Sequence, residues 1–191
     1  DWSESRGLGD VYKRQDYFRL LFARIGVAYS YKSNQKMVSY SDSQIQELII
    51  EEYLNNKISL LAPIIQSRKG HYRELLDSLS RQGFSKVRVD QKIIDLSPGL
   101  KLDRYKTHDI ELVIDRFIVK DNDEFKKRLE ESIKTAMYYG DGTVLIFDLE
   151  KEYTRYFSKN LMCPASGISY PSPEPNTFSF NSPKGMCPKC K

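Results

Sequence analysis

Three cysteines occupy the last 29 residues of the chain, in Cys163-Pro-Ala-Ser166 and Cys187-Pro-Lys-Cys190. Each group opens on Cys-Pro and places its second ligand position three residues on, and the 20 residues between Ser166 and Cys187 fall at the outer range of a zinc-ribbon spacing. Cys163, Cys187 and Cys190 are therefore candidate metal ligands. Structural zinc takes four donors in a tetrahedron, and the fourth position here is Ser166, whose hydroxyl stays protonated near neutral pH. The pattern is compatible with zinc held mainly by three thiolates, or with a β-hairpin-like tail of reduced, partly buried cysteines. A disulfide framework is disfavoured, because three cysteines leave one over and no signal or transit peptide is present. No long apolar run occurs, so the chain is expected to be cytoplasmic and to make no use of a membrane.

Other chemistry is sparse. No Gly-x-x-x-x-Gly-Lys-Ser/Thr loop is available to cradle a phosphate, and no Gly-x-Ser-x-Gly elbow offers a nucleophile to the histidines, His71 and His108. Both histidines read as solvated loop residues. The 30 basic residues are nearly balanced by 26 acidic ones, for a net charge of +4, which permits weak contact with nucleic acid without implying it. More informative is Ser85-Lys-Val-Arg-Val-Asp90, where strand alternation sends Val87 and Val89 to one face and Lys86, Arg88 and Asp90 to the other. Arg116 shares parity with Ile110, Leu112 and Ile114, so it can point outward only past a bulge or the end of the buried face.

The elements that carry these residues follow from periodicity. Residues 1 to 15 show neither a helical nor a strand period and are set aside as foreign sequence or a frayed terminus. Phe18, Leu21, Phe22 and Ile25 predict a short helix stopping at Gly26, and Asp42 a cap for a second helix with the stripe Ile45, Leu48, Ile49 and Tyr53. Ile58 to Ile65 reads as a strand, which Pro63 pushes toward an edge or an end. A helix from Tyr72 to Gly83, a hairpin around Asp90-Gln91, a strong strand from Asp109 to Val119, a helix from Asp121 to Gly140 and strands at 142–149 and 153–157 complete the series. The 40% hydrophobic content suffices for a core without staples. The expected fold class is α/β in the α+β sense: a mostly antiparallel sheet with two packed helices.

Taken together these segments resemble the UvrA family, the damage-recognition ATPases of the bacterial UvrABC excinuclease. The motifs that carry the resemblance are Asp16-Tyr-Phe-Arg-Leu-Leu-Phe-Ala-Arg-Ile-Gly26, Leu61-Ala-Pro-Ile-Ile65 with Arg68-Lys-Gly70, Gly83-Phe-Ser-Lys-Val-Arg-Val-Asp90, His108 to Val119, and Phe178-Ser-Phe-Asn-Ser-Pro183 before Cys187-Pro-Lys-Cys190. The resemblance implies residues 16–56 as a helical segment of the first ATPase module, 57–150 as the UvrB-binding domain and 151–191 as a partial zinc-module-like tail. It implies a parent that is a dimeric, DNA-binding, ATP- and Mg-dependent ABC-type ATPase, with this stretch inactive alone. Lys86, Arg88 and Arg116 become the expected basic contacts to acidic residues of UvrB. Two departures weaken zinc: Tyr29-Ser-Tyr-Lys-Ser-Asn34 stands where many members carry a first metal site, and Ser166 where they carry a cysteine. The competing reading is a stand-alone zinc-ribbon module that binds nucleic acid.

Overall fold

A computed structural model describes residues 3–164, 166–170 and 172–186, with side chains from residue 14 onward. Among these residues four α-helices occur, α1 (Ser3–Ile25), α2 (Asp42–Tyr53), α3 (Arg73–Arg81) and α4 (Asp123–Tyr139). The strands are β1 (Lys57–Lys69), β2 (Lys86–Val89), β3 (Lys92–Asp95), β4 (Thr107–Ile118), β5 (Thr143–Asp148), β6 (Tyr153–Ser158), β7 (Leu161–Met162) and β8 (Ser169–Tyr170). The order β-α-β-β-β-α-β-β read between residues 58 and 157 is the order observed. None of the helices is long and apolar enough to cross a membrane, among the described residues.

Six strands form one sheet in the order β3-β2-β4-β1-β5-β6, with every recorded pairing antiparallel. β1 therefore lies between β4 and β5, although Pro63 predicts an edge or an end. The conflict resolves locally: the β1–β5 ladder covers only Ile58 to Leu61, and the β1–β4 ladder shifts register just past Pro63. The missing N–H thus falls where β1 has no β5 neighbour to receive it. Gly140, at the end of α4, is needed at the same spot, since a Cβ there would lie 2.8 Å from Pro63 Cδ and 2.1 Å from the Thr143 carbonyl oxygen.

One face of the sheet is covered by helices. Ile58, Leu60, Ala62, Val87, Val89, Ile110 and Leu112 meet Ile45 and Ile49 of α2, Leu76 and Leu79 of α3, and Leu129, Ile133 and Ala136 of α4 in one core. Three helices, not the expected two, supply that core. α2 is among them because its i, i+4 stripe is fully buried, and this ties residues from 42 onward to the sheet. Its cap is Ser41, one residue before the expected Asp42: Ser41 Oγ accepts the Gln44 N–H at 3.3 Å while Gln44 Oε1 accepts the Ser41 N–H at 3.0 Å. α4 starts as its sequence predicts, with Asn122 Oδ1 accepting the Phe125 N–H at 2.8 Å. α1 begins at Ser3, well ahead of the helix predicted from residue 16. Its Phe22 ring lies 5.9 Å from Phe178 in the 3-10 turn Pro175–Phe178.

Candidate functional site

Among the described residues, no helix packs on the second face of the sheet. Leu61, Val113 and Leu145 form a small apolar centre there, with Ile93, Phe147 and Tyr156 packed around it. Strand register sets Arg88 of β2 opposite Glu111 of β4, and alternation puts both on this face because their neighbours Val87, Val89, Ile110 and Leu112 point into the helical core. The Arg88 guanidinium grips the Glu111 carboxylate with two nitrogens, Nη2 donating to Oε1 at 2.9 Å, while Nη1 donates to Thr154 Oγ1 at 2.9 Å. Its plane lies over the Phe147 ring, 4.8 Å from the centroid.

Arg88, one of the three expected basic contacts, is consequently only 3% exposed in the free chain. Alternation placed it on the right side of the strand. What alternation does not reveal is that Phe147, Thr154 and Glu111 close over it. Above this pair lies a cavity of about 630 Å³, lined by Arg88, Glu111, Thr154 and Tyr156 from the sheet and by Gly167 and Ile168 from the tail. Gly167 fits against the Tyr156 ring only because it lacks a side chain: its φ is +65° and a Cβ would lie 2.7 Å from Tyr156 Cδ1. Burial, with Glu111 adding to it, pushes the Tyr156 hydroxyl pKa up.

The other two predicted contact residues differ from Arg88. Lys86 is half-buried and pairs with Asp95, its cross-strand partner on β3. Arg116 is exposed, and no acidic partner for its guanidinium is found among the described residues. The bulge that an outward Arg116 requires is present: Leu60 pairs with Asp115 but Leu61 with Val113, a skip that reverses the parity of β4. Asp115 and Phe117 then face α4, where Asp115 accepts from Arg128 Nη2 at 2.7 Å and Ser132 Oγ at 3.1 Å, and Arg116 faces the open side.

His108 is a residue that sequence reasoning misread. It is buried, its Nδ1 lying 2.8 Å from Asp90 Oδ2 and its Nε2 2.9 Å from the Asp103 carbonyl. Both neighbours are acceptors, so the ring satisfies both only when doubly protonated. The Asp90 hydrogen bond raises the His108 pKa against the opposing effect of burial. For Asp90, burial works upward, but the Asp109 N–H and His108 hold the carboxyl below its usual value. The pair secures the β2–β3 turn, where Asp90 and Gln91 both have positive φ, at 47° and 69°. A raised histidine pKa contributes stability that is complete below about pH 6.5 and disappears as pH climbs through the higher folded value. Urea midpoints should therefore fall on going from pH 6 to pH 8.5 in the native chain, and His108→Gln should flatten that slope.

Of the candidate metal ligands, Cys163 is fully buried, whereas Cys187 and Cys190 lie outside the described residues. Ser33 Oγ shares a hydrogen bond of 3.0 Å with Cys163 Sγ. Hydrogen bonds from Ser166 first, then Ser33, bring the thiol pKa down to about 6 against the effect of burial, with Ser30 adding to the shift. Among the described residues no group of three or more His, Cys, Asp and Glu is placed to hold a metal ion.

Comparison with known proteins adds a family to this geometry. A family model described as the UvrA interaction domain matches residues 41–150, starting at the Ser41 cap of α2. The chain is 38% identical over 185 residues to UvrABC system protein A of Methanothermobacter thermautotrophicus, covering 96% of the chain and 19% of that protein. It is 38% identical over 185 residues to the protein of the same name from Escherichia coli, covering 96% of the chain and 20% of the relative. For Staphylococcus epidermidis the figures are 40% over 175 residues, 92% and 18%. The chain thus spans about a fifth of the length of these relatives. With the interaction-domain model matched over more than half of its residues, this chain belongs to the UvrA family.

Proposed function

We propose that the helix-free face of the six-stranded sheet is a docking surface for UvrB, within a parent that serves bacterial nucleotide excision repair as a DNA-binding, ATP- and Mg-dependent dimer. The observation that carries this reading is the layout of the face. A rigid, internally neutralised Arg88–Glu111 pair and a small apolar centre are flanked by Lys86 and Arg116, which remain accessible to an acidic partner. The matched family is an interaction domain, which supports a binding role, and the relatives are named for a UvrABC system.

In this reading Arg88 holds the platform and Lys86 and Arg116 make the contact. Rim charges of this kind steer encounter and fix register more than they add raw affinity. The exposed apolar residues of α1, Phe18, Leu21, Phe22 and Ile25, form the side that packs on the remainder of an ATPase module. The stand-alone zinc-ribbon reading gains nothing from the described part of the tail, which supplies a single thiol. Capture of UvrB by the immobilised chain tests the proposal, with K86E/R116E as the comparison; equal capture by both would contradict it.

A further inference from the structure

Two short loops, more than a hundred residues apart in sequence, close with the same backbone hydrogen bonds. In one, Ser30 N–H donates to the Gln35 carbonyl at 2.9 Å and Asn34 N–H to the Ser30 carbonyl at 2.8 Å. In the other, Cys163 N–H donates to the Ile168 carbonyl at 3.0 Å and Gly167 N–H to the Cys163 carbonyl at 2.9 Å. The fifth residue of each has a positive φ, 53° at Asn34 and 65° at Gly167. Each loop sits at the tip of a small antiparallel hairpin, closed by the Tyr29–Lys36 bridge and by β7–β8 respectively. Val38 and Met162 then join the hairpins side by side through two hydrogen bonds of 2.9 Å.

The first and fourth residues of these loops converge. They are Ser30 and Ser33 from one, Cys163 and Ser166 from the other. Ser33 Oγ lies 3.0 Å from Cys163 Sγ, and the matching loop closures set Ser30 and Ser166 at the equivalent positions beside it. Ser30 is buried, and its hydroxyl oxygen has no hydrogen-bond partner among the described residues. Two knuckles contributing positions i and i+3 are the arrangement that encloses a tetrahedral metal ion. The donors do not fit one: three of the four are neutral hydroxyls, which are poor ligands for a borderline-soft ion. Sequence spacing pairs Cys163 with Cys187 and Cys190, which lie outside the described residues; the structure sets Cys163 beside the loop at residues 30–35.

We propose that this is a metal-free knuckle pair. Ser30, Ser33 and Ser166 stand in three of the four positions of a tetrathiolate cradle, and hydrogen bonding around Cys163 performs the joining of the two hairpins that a bound zinc ion would otherwise provide. The cradle keeps its shape for a metal it does not take.

The test uses the full chain carrying C187S/C190S, which keeps the two other thiols out of the count. This protein, purified after exposure to Zn(II), should carry no stoichiometric zinc and show no thiolate bands with Co(II). Adding S30C/S33C/S166C should create a site for one Co(II) with the visible bands of tetrathiolate coordination, abolished by C163A. Because the restored variant is free to misfold before it meets metal, S33C alone in the same background provides an independent reading. Air oxidation with copper phenanthroline should consume both of its thiols, joining the introduced sulfur to Cys163 in an intramolecular disulfide. Zinc bound stoichiometrically by the C187S/C190S protein and lost on C163A would overturn the proposal. So would a restored variant that neither binds Co(II) nor, as S33C, forms the disulfide.

Discussion

Arg88→Ala is expected to cost about 3–5 kcal/mol of folding stability, the range for breaking one side of a buried ion pair. The substitution strands the buried Glu111 carboxylate, removes the donor to Thr154 and takes away the guanidinium that packs beneath the Phe147 ring. Charge reversal at Arg88 should be more damaging still, since it opposes two carboxylates on neighbouring strands. The control is the pair replaced as a whole. R88M/E111L removes both charges in favour of apolar side chains of similar length, and such replacements are often neutral or stabilising. Urea unfolding should show a large drop in midpoint for the single variant and recovery for the double, while Lys86→Ala stays within about 0.5 kcal/mol. A loss below about 1 kcal/mol for Arg88→Ala would mean that the pair is wetter than its burial indicates.

The second large effect concerns docking. K86E/R116E should slow association with UvrB by on the order of 10- to 100-fold at low ionic strength, with most of the difference erased in high salt, because exposed charges act over a Debye length of about 10 Å at 0.1 M. Both side chains reach solvent, Lys86 at 35% side-chain exposure and Arg116 more so, so setting a glutamate opposite the exposed Asp95 should cost no more than about 1 kcal/mol and leave the fold intact. The stability-neutral R88M/E111L protein separates the two roles of the face. It should retain fast association, since Arg88 sits under Phe147 and not at the rim. An R88M/E111L protein that is fully folded yet as slow as K86E/R116E would return Arg88 to the contact surface.

Much of the scaffold was legible because local signals agreed with one another. Val87 and Val89 alternate with charges, the stripe of α4 runs from Phe125 to Met137, and Asn122 and Gly140 bracket that helix, so order and type of these elements follow from period and caps. The site was less legible. Alternation locates Arg88 on a face but is silent about the cover that β5 and β6 supply from sixty residues away. A cue did exist: Glu111 stands alone between Ile110 and Leu112 on a strongly apolar strand, and an isolated charge there calls for an opposite one across the ladder. Arg116 was settled by a bulge that parity could demand but not place. His108 and the convergence of Ser30-x-x-Ser33 on Cys163 had no such cue, because both depend on contacts set by tertiary structure and hydroxyls at i, i+3 are not a recognised ligand signature.

Amide hydrogen exchange on the chain with and without UvrB addresses the docking face most directly. Docking on the helix-free face should slow exchange in the peptides spanning Lys86–Val89 and residues 111–118, with α3 and α4 unchanged. Protection confined to α2, α3 and α4, with β2 and β4 exchanging as in the free chain, would place the partner on the helical side and contradict it.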